Sequence, residues 1–230
     1  MDTASKITVI FLMICVWWGG DIMIADQAHS GKNINLPEPV RDSSMSVEKA
    51  LDTRRSTRNF SQDHLTLEHV GQMLWAAQGI TETRRNFRTA PSAGATFPLD
   101  IYLVSGDVEG LKAGVYRYVP KSHSISKTMD EDRRDDLHSS ALGQGAVRQA
   151  PASIIIAAEF EKTVRVYGQR GRQYVYMEVG HAGQNIHLQA EALGLGTVVI
   201  GAFDEKGVSR VLDLPREIVP LYIMPFGKPR

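Results

Sequence analysis

The spacing of apolar and polar residues predicts a protein in which helices and strands follow one another without a regular order. Apolar residues recur every three, four or seven positions between Arg172 and Leu193, which indicates one long amphipathic helix that stops at Gly194. The run 153–158 (SIIIAA) is apolar and rich in β-branched residues, as is typical of a buried central strand. This mixture, without strict strand–helix alternation, predicts an α+β fold.

The other predicted elements are shorter. Ser46 is a suitable N-cap for a first helix, and Thr66 precedes an amphipathic helix that ends before Gly79. The alternating segment 114–119, followed by Pro120-Lys121-Ser122, indicates a hairpin with residues 123–127. The pattern also predicts strands over 100–105, 197–200 and 219–226, and helices over 131–142 and 206–212.

The N-terminus carries a separate signal. Residues 7–18 (ITVIFLMICVWW) are uncharged and apolar, a run that is shorter than the roughly 20 residues of a membrane span and fits the core of a signal peptide. We therefore expect residues 1–25 to be an export signal, giving a periplasmic or secreted protein, or a membrane anchor through residues 7–24. A misassigned start codon, and hence a cytoplasmic protein, is the alternative. Residues 26–44 are polar and contain two prolines, which predicts a linker before a domain at 45–230.

Composition narrows the range of functions. The formal net charge is +0 at pH 7, which argues against bulk electrostatic binding to nucleic acid. The single cysteine, Cys15, lies in the N-terminal apolar run. The rest of the chain therefore offers no internal disulfide, no thiolate metal site and no cysteine nucleophile. His181 and His187 lie six residues apart on the long predicted helix, on different faces, so a joint metal site is not expected either.

Three clusters are candidates for ligand binding. Arg54-Arg55-Ser56-Thr57-Arg58 places three guanidiniums and two hydroxyls together, a composition that suits a phosphate; a solvated helix end is the alternative. Pro91-Ser92-Ala93-Gly94 is a segment of small residues at which backbone can approach a ligand closely, although it also reads as an ordinary turn. Gly227-Lys228-Pro229-Arg230 carries two cations after a predicted buried strand, in a binding site or in a solvated tail.

The order of these clusters resembles the nitroreductase family. The matching stretches are RRSTRNF, PSAGATFP, GHAGQNIHLQAEALGLG and PFGKPR, spread over residues 45–230. The segment GVYRY and the histidine of GHAGQN are similar to the SagB-type dehydrogenase branch of that family. The resemblance implies a homodimer with a central, mostly antiparallel sheet flanked by helices, and with FMN bound in clefts between the two subunits.

The resemblance also implies roles for individual residues. It implies that Arg54, Arg55, Ser56 and Arg58 contact the phosphate, the ribityl chain and the pyrimidine edge of FMN. The turn that approaches the flavin from the partner subunit is Pro91, Ser92, Ala93 and Gly94. The isoalloxazine ring lies beside Val199, Ile200 and Gly201, and Lys228 with Arg230 closes on the phosphate. Arginine and lysine neutralise a phosphate, and the redox chemistry belongs to the cofactor.

Three functions remain open at this point. The first is an FMN-dependent oxidoreductase that passes hydride between a nicotinamide donor, NAD(P)H, and an organic small-molecule acceptor. The second is a SagB-like dehydrogenase of peptide azolines, although azoline-oxidising members carry a Lys-Tyr pair where this chain has Val166-Tyr167. Tyr167 is a candidate catalytic acid or substrate anchor, and a purely structural tyrosine is the alternative that the sequence favours. The third is a non-catalytic scaffold subunit with a flavin-type fold. Glu178 and His181, at i, i+3 spacing, are expected to pair.

Overall fold

A seven-stranded sheet forms the centre of the domain. The computed structural model describes residues 33–230. The strands are β1 (Ile34–Asn35), β2 (Ile80–Glu82), β3 (Phe87–Arg88), β4 (Leu99–Ser105), β5 (Gly114–Val119), β6 (Ser124–Asp130), β7 (Ala152–Glu159), β8 (Gly196–Thr197) and β9 (Ile218–Gly227). The sheet order is β1-β6-β5-β4-β7-β9-β8, every neighbouring pair is antiparallel, and β2 with β3 forms a separate hairpin.

Helices cover both faces of this sheet. They are α1 (Val47–Thr53), α2 (Leu67–Gln78), α3 (Arg134–Ser140), α4 (Gly145–Gln149), α5 (Glu161–Tyr167), α6 (Gly171–Ala192) and α7 (Glu205–Leu212). Apolar residues of α2 and α6 form the core on one face, and those of α3, α4 and α7 form the core on the other. The predicted α+β fold, with a central antiparallel sheet flanked by helices, is confirmed.

The predicted central strand is β7, which lies between β4 and β9. Ile154 and Ile156 face the α2–α6 core, whereas Ile155 faces the α3–α7 core, and all three are fully buried. Because both faces of β7 are covered, its sequence is apolar at every position instead of alternating.

The long predicted helix is α6, displaced by one residue from the expected range. The apolar residues that set the predicted period are buried against the sheet and α2. They are Val175, Val179, Ala182, Ile186 and Ala190. Gly194 follows the helix with a φ of 66°, in the left-handed region that favours glycine. The helix therefore ends where the sequence predicted.

Most of the shorter predictions also hold. Strands predicted over 100–105, 114–119, 123–127 and 219–226 correspond to β4, β5, β6 and β9. The helix predicted over 131–142 is confined to α3, since Asp132 accepts a hydrogen bond from the backbone of Arg134 just before the helix begins. Helices α4 and α5 were not predicted.

The strand predicted over 197–200 is wrong in its extent. Only Gly196–Thr197 pairs with β9, and Ile200 returns to it through an isolated bridge with Ile223. The carbonyl of Thr197 accepts a hydrogen bond from Thr57 at 2.9 Å, so the chain turns away from the ladder here. Residues 198–200 are apolar because they pack on the core, with Val199 half-buried and the other two buried, and not because they form a continuous strand.

Part of the segment assigned to a linker is packed on the sheet. Ile34–Asn35 pairs with β6, and Leu36 is buried and donates its backbone N–H to His123 at 3.0 Å. The signal or anchor predicted at residues 1–25 lies outside the described residues. Between residues 33 and 230, no helix combines the length and the apolar character that crossing a membrane requires.

Both predicted N-caps are present. The Ser46 hydroxyl accepts a hydrogen bond from the Lys49 backbone at 3.1 Å. At α2 the capping is reciprocal, because the Thr66 hydroxyl accepts from the His69 backbone while the His69 ring accepts from the Thr66 N–H at 3.1 Å. Burial lowers the pKa of His69, with a smaller effect from the charge of Lys228, and the neutral ring is the form that can accept this bond.

We expect Thr66→Ala to lower the free energy of unfolding by about 0.5–2 kcal/mol, because it removes the side-chain half of this capping box. Urea denaturation followed by circular dichroism measures the change. Thr83→Ala, in the exposed turn between β2 and β3, is the matched control and should leave the midpoint unchanged. Equal midpoints for both variants would show that the cap does not stabilise α2.

Candidate functional site

Residues 54–60, here called the arginine segment, are fastened on two sides by backbone hydrogen bonds. On one side Thr57 N–H donates to the Thr197 carbonyl at 2.9 Å. On the other side, Ser61 N–H donates to the Lys228 carbonyl at 2.9 Å and Arg230 N–H donates to the Asn59 carbonyl at 3.2 Å. The arginine cluster, the region after α6 and the chain end, which are distant in sequence, therefore form one surface.

Positive charge accumulates on this surface. Within the described part of the chain, four of its guanidiniums form no salt bridge, and these belong to Arg54, Arg55, Arg58 and Arg230. The Arg55 guanidinium donates to the carbonyls of Asp52 and Arg54, and Lys228 lies 3.9 Å from the carboxylate of Asp63. Ser56, with an exposed side chain, pairs with Thr197 through a backbone bridge. Mostly uncompensated guanidiniums beside a hydroxyl suit an anionic group.

Glycines let the backbones approach closely at this surface. A side chain at Gly196 would come within 2.6 Å of the Thr57 side chain, so only glycine allows the arginine segment to lie against β8. Gly201 is exposed, and a Cβ there would contact only the Tyr222 ring, at 3.8 Å or more. The backbone is therefore closely packed at residue 196 and open at residue 201.

A cavity joins the predicted ring-binding residues to the arginine segment. It has a volume of about 300 Å³ and is lined by Arg58, Asn59, Val199 and Ile200 together with residues 144–146 and 149. Ile200 is held by reciprocal hydrogen bonds of 2.9 Å with Ile223, which fixes the backbone that leads to Gly201. Two of the predicted groups, from residues 54–58 and 199–201, are thus brought together.

The turn of Pro91, Ser92, Ala93 and Gly94 belongs to a second group, with Tyr167. Gly94 has a φ of 58°. A Cβ added at Gly94 would lie 2.6 Å from the Tyr167 hydroxyl oxygen, so Tyr167 packs directly over the turn. A hydrogen bond of 2.8 Å between the Thr96 and Thr163 hydroxyls ties the same turn to α5. Among the described residues, the hydrogen bonds of this turn stay within it or go to α5 and α6, and none reaches the arginine segment.

Glu178 is a site residue that the sequence analysis did not identify. It is 3% exposed and faces Ser92, Arg88 and Gln78, while His181, its expected partner, is exposed; the predicted Glu178–His181 pair is wrong. The helical period could have shown this, because Glu178 lies three residues after Val175 and four before Ala182, on the buried stripe of α6.

Burial raises the pKa of Glu178 to about 7, against a smaller opposite effect of the Ser92 hydroxyl, the Arg88 charge and the Gln78 amide. Because the pKa is raised above that of the unfolded chain, the native protein holds a proton that the unfolded chain has lost between about pH 4.5 and pH 7. Stability from this group is therefore greatest at low pH and declines as the pH rises through 7, by on the order of 3 kcal/mol at most.

His187 and Glu191, both on α6, lie beside the start of the arginine segment. His187 is buried, and its pKa is lowered mainly by burial and then by the charge of Arg54. One turn later, Glu191 accepts a hydrogen bond of 2.9 Å from the Thr53 hydroxyl at the end of α1. These contacts place the first arginine beside α6. Within the described residues, no group of three or more histidine, cysteine, aspartate or glutamate side chains could hold a metal ion.

Comparisons with known proteins show which family the chain belongs to. The chain is 46% identical over 182 residues to a Methanocaldococcus jannaschii protein whose name places it among the nitroreductases, covering 79% of this chain and 90% of that protein. It is 29% identical over 190 residues to the microcin B17-processing protein McbC of Escherichia coli, covering 75% and 70%. A crystal structure of a nitroreductase-type protein from Ralstonia eutropha matches with a TM-score of 0.76 at 29% identity, covering 88% and 91%. A model of the nitroreductase family matches residues 51–228, and this chain therefore belongs to the nitroreductase family of oxidoreductases.

Proposed function

We propose that this protein is an FMN-dependent oxidoreductase that transfers hydride between a nicotinamide donor and an organic acceptor. The observation that carries the proposal is the junction of the arginine segment with β8 and the chain end, held by backbone hydrogen bonds at Thr57, Ser61 and Arg230. These bonds gather cations from two distant stretches on one surface, as a phosphate-bearing cofactor requires.

The residues present fit a flavin mononucleotide. Cations would hold its phosphate, and we assign this role to Arg54, Arg55, Arg58, Lys228 and Arg230, with Ser56 contributing a hydroxyl. The cavity beside Val199 and Ile200 and the open backbone at Gly201 would border the isoalloxazine ring. When bound, FMN would supply the redox chemistry by taking up and releasing two electrons at that ring. Cations near its pyrimidine edge favour the reduced, anionic form.

A second copy of the chain would complete the site. Large apolar side chains are exposed on α5 and α6, and these are Val166, Tyr167, Tyr176 and Met177. Exposed apolar side chains grouped on neighbouring helices are typical of an interface. We propose a homodimer with FMN between the subunits, in which the turn at Pro91–Gly94 of one subunit approaches the flavin bound by the arginine segment of the other.

A second candidate function is oxidation of peptide azolines. The similarity to McbC, whose name assigns it to microcin B17 processing, favours it, as does Tyr167, which is 39% exposed over the turn. The Lys of the Lys-Tyr pair is absent, because position 166 is a valine that is 60% exposed. Lys162, one turn earlier, lies 3.1 Å from Glu159 and 3.8 Å from Asp100, so it does not replace the missing lysine. We therefore rank this function second.

The first test of the proposed function is flavin retention. Arg54→Ala and Arg58→Ala should each weaken FMN binding by about 1.5–3 kcal/mol, or roughly ten- to 100-fold in Kd, because each removes a charge-assisted contact. Deletion of residues 228–230 should act in the same direction. Titration of protein containing residues 26–230 with FMN, followed by flavin fluorescence, measures Kd.

Arg210→Ala is the matched control, because Arg210 is 74% exposed on α7 and its partner is Asp204. Its Kd should equal that of the unaltered protein. Unchanged Kd values in both arginine variants would place the phosphate elsewhere. Protein that is colourless and takes up no added FMN would leave only the non-catalytic scaffold.

The second prediction concerns the reaction. The flavin-loaded protein should oxidise NAD(P)H with a quinone or nitroaromatic acceptor, followed at 340 nm, and should not oxidise an azoline-containing peptide. The replacement Val166→Lys restores a proton-carrying side chain beside Tyr167. Azoline oxidation by the unaltered protein, without NAD(P)H oxidation, would reverse the order of the two functions. Azoline oxidation gained only with Val166→Lys would indicate a lapsed peptide-modifying ancestor.

A further inference from the structure

A buried carboxyl group lies beneath the turn that carries Ser92 and Gly94. Glu178, on α6, is 3% exposed, and its Oε1 atom has no hydrogen-bond partner within the described part of the chain. The groups that face it come from three elements: the Ser92 hydroxyl from the turn, the Arg88 guanidinium from β3 and the Gln78 amide from α2. Burying an ionisable group lowers the free energy of unfolding, which favours a role for Glu178 beyond packing.

Ser92 connects this carboxyl to the backbone of the turn. Its Oγ accepts a hydrogen bond of 2.9 Å from the Phe97 N–H. A hydroxyl has a single hydrogen, and here that hydrogen remains available to the Glu178 carboxyl, whose pKa the Ser92 hydrogen bond lowers. The two bonds bridge the turn to α6.

The backbone between these contacts needs such support. Gly94, Ala95 and Phe97 have φ angles of 58°, 52° and 45°, in the left-handed region. Alanine and phenylalanine rarely adopt this region, and such residues stay there only when the surrounding structure holds them. The Arg88 guanidinium lies 4.3 Å from the centroid of the Phe97 ring and donates to Gln78 at 2.9 Å, which gives the turn a second attachment.

We propose that Glu178 is a positioning residue, which through Ser92 holds residues 91–97 in the conformation that approaches the flavin of the partner subunit. This inference rests on the proposed function, because the turn acts on a flavin only if a flavin is bound. Burial is the larger influence on the pKa of Glu178 and outweighs the Ser92 hydrogen bond. Opening of the turn would hydrate the carboxyl and lower its pKa, so ionisation favours the open turn, and the turn is held more firmly at pH 6 than at pH 8.

Hydrogen–deuterium exchange of the apoprotein tests the positioning directly. The reporters are the amides of Ala95 and Thr96, which donate to the carbonyls of Ser92 and Ala93. Ser92→Ala and Glu178→Ala should each lower their protection factors about tenfold at pH 6, because a support of the turn is lost. In unaltered protein, the protection factors should be higher at pH 6 than at pH 8, with the change centred near pH 7.

Glu178→Gln separates positioning from packing. It keeps the shape and one acceptor oxygen, so it should retain part of the protection while losing the dependence on pH. Its melting temperature at pH 8 should be no lower than that of unaltered protein, since a buried charge is removed. Ser153→Ala, which removes another buried serine hydroxyl, and Glu159→Gln, which removes the carboxylate paired with Lys162, are the controls and should leave the turn unchanged.

Flavin fluorescence supplies a second readout. With FMN added, Ser92→Ala and Glu178→Ala should shift the flavin absorbance bands and raise Kd several-fold. Protection factors in Ser92→Ala and Glu178→Gln that match the unaltered protein at both pH values would overturn the inference. Failure of the proposed function has a different signature, because it leaves every variant and the unaltered protein without flavin, while the exchange of the apoprotein still decides the role of Glu178.

Discussion

The candidate site depends on the backbone hydrogen bonds that fasten the arginine segment to Thr197 and to the chain end. Like charges repel, so cations from two distant stretches gather on one surface only if the backbone is held independently of them. Strand β9 provides that hold, because it pairs with the buried β7 along its length and leads directly into Lys228. The gathering of cations on this surface is therefore a consequence of the strand pairing at the centre of the sheet.

The length and burial of each element explain how much of the fold the sequence could predict. Elements that face the core carry clear apolar patterns: the helical period placed α6, and a continuous apolar run placed β7, each within a residue or two. Ile34–Asn35 and Gly196–Thr197 are too short to show a period, since each pairs through only two residues. Residues 198–199 are apolar because of burial, and burial alone does not distinguish a strand from a loop packed on the core.

The site was predictable to a different degree. The resemblance brought together the arginine cluster, the small-residue turn and the chain end, and the structure places the first and third of these side by side. Contacts that depend on tertiary packing were out of reach, such as the Tyr167 hydroxyl over Gly94. Glu178 was paired with His181 on the basis of the i, i+3 spacing, although its position on the apolar stripe of α6 argued for burial.

Helix α6 contacts both the turn at residues 91–94 and the start of the arginine segment, and it holds them at a fixed separation. Glu178 faces the turn from its first half, and Glu191, near its end, holds Thr53 beside the first arginine. Thirteen residues of helix separate these glutamates by roughly 20 Å, so the turn and the arginine segment of one chain keep a fixed distance. In the proposed twofold dimer each chain would give its arginine segment to one site and its turn to the other. With both groups on one helix, the shape of each proposed site then depends on how the two copies of α6 are placed relative to each other.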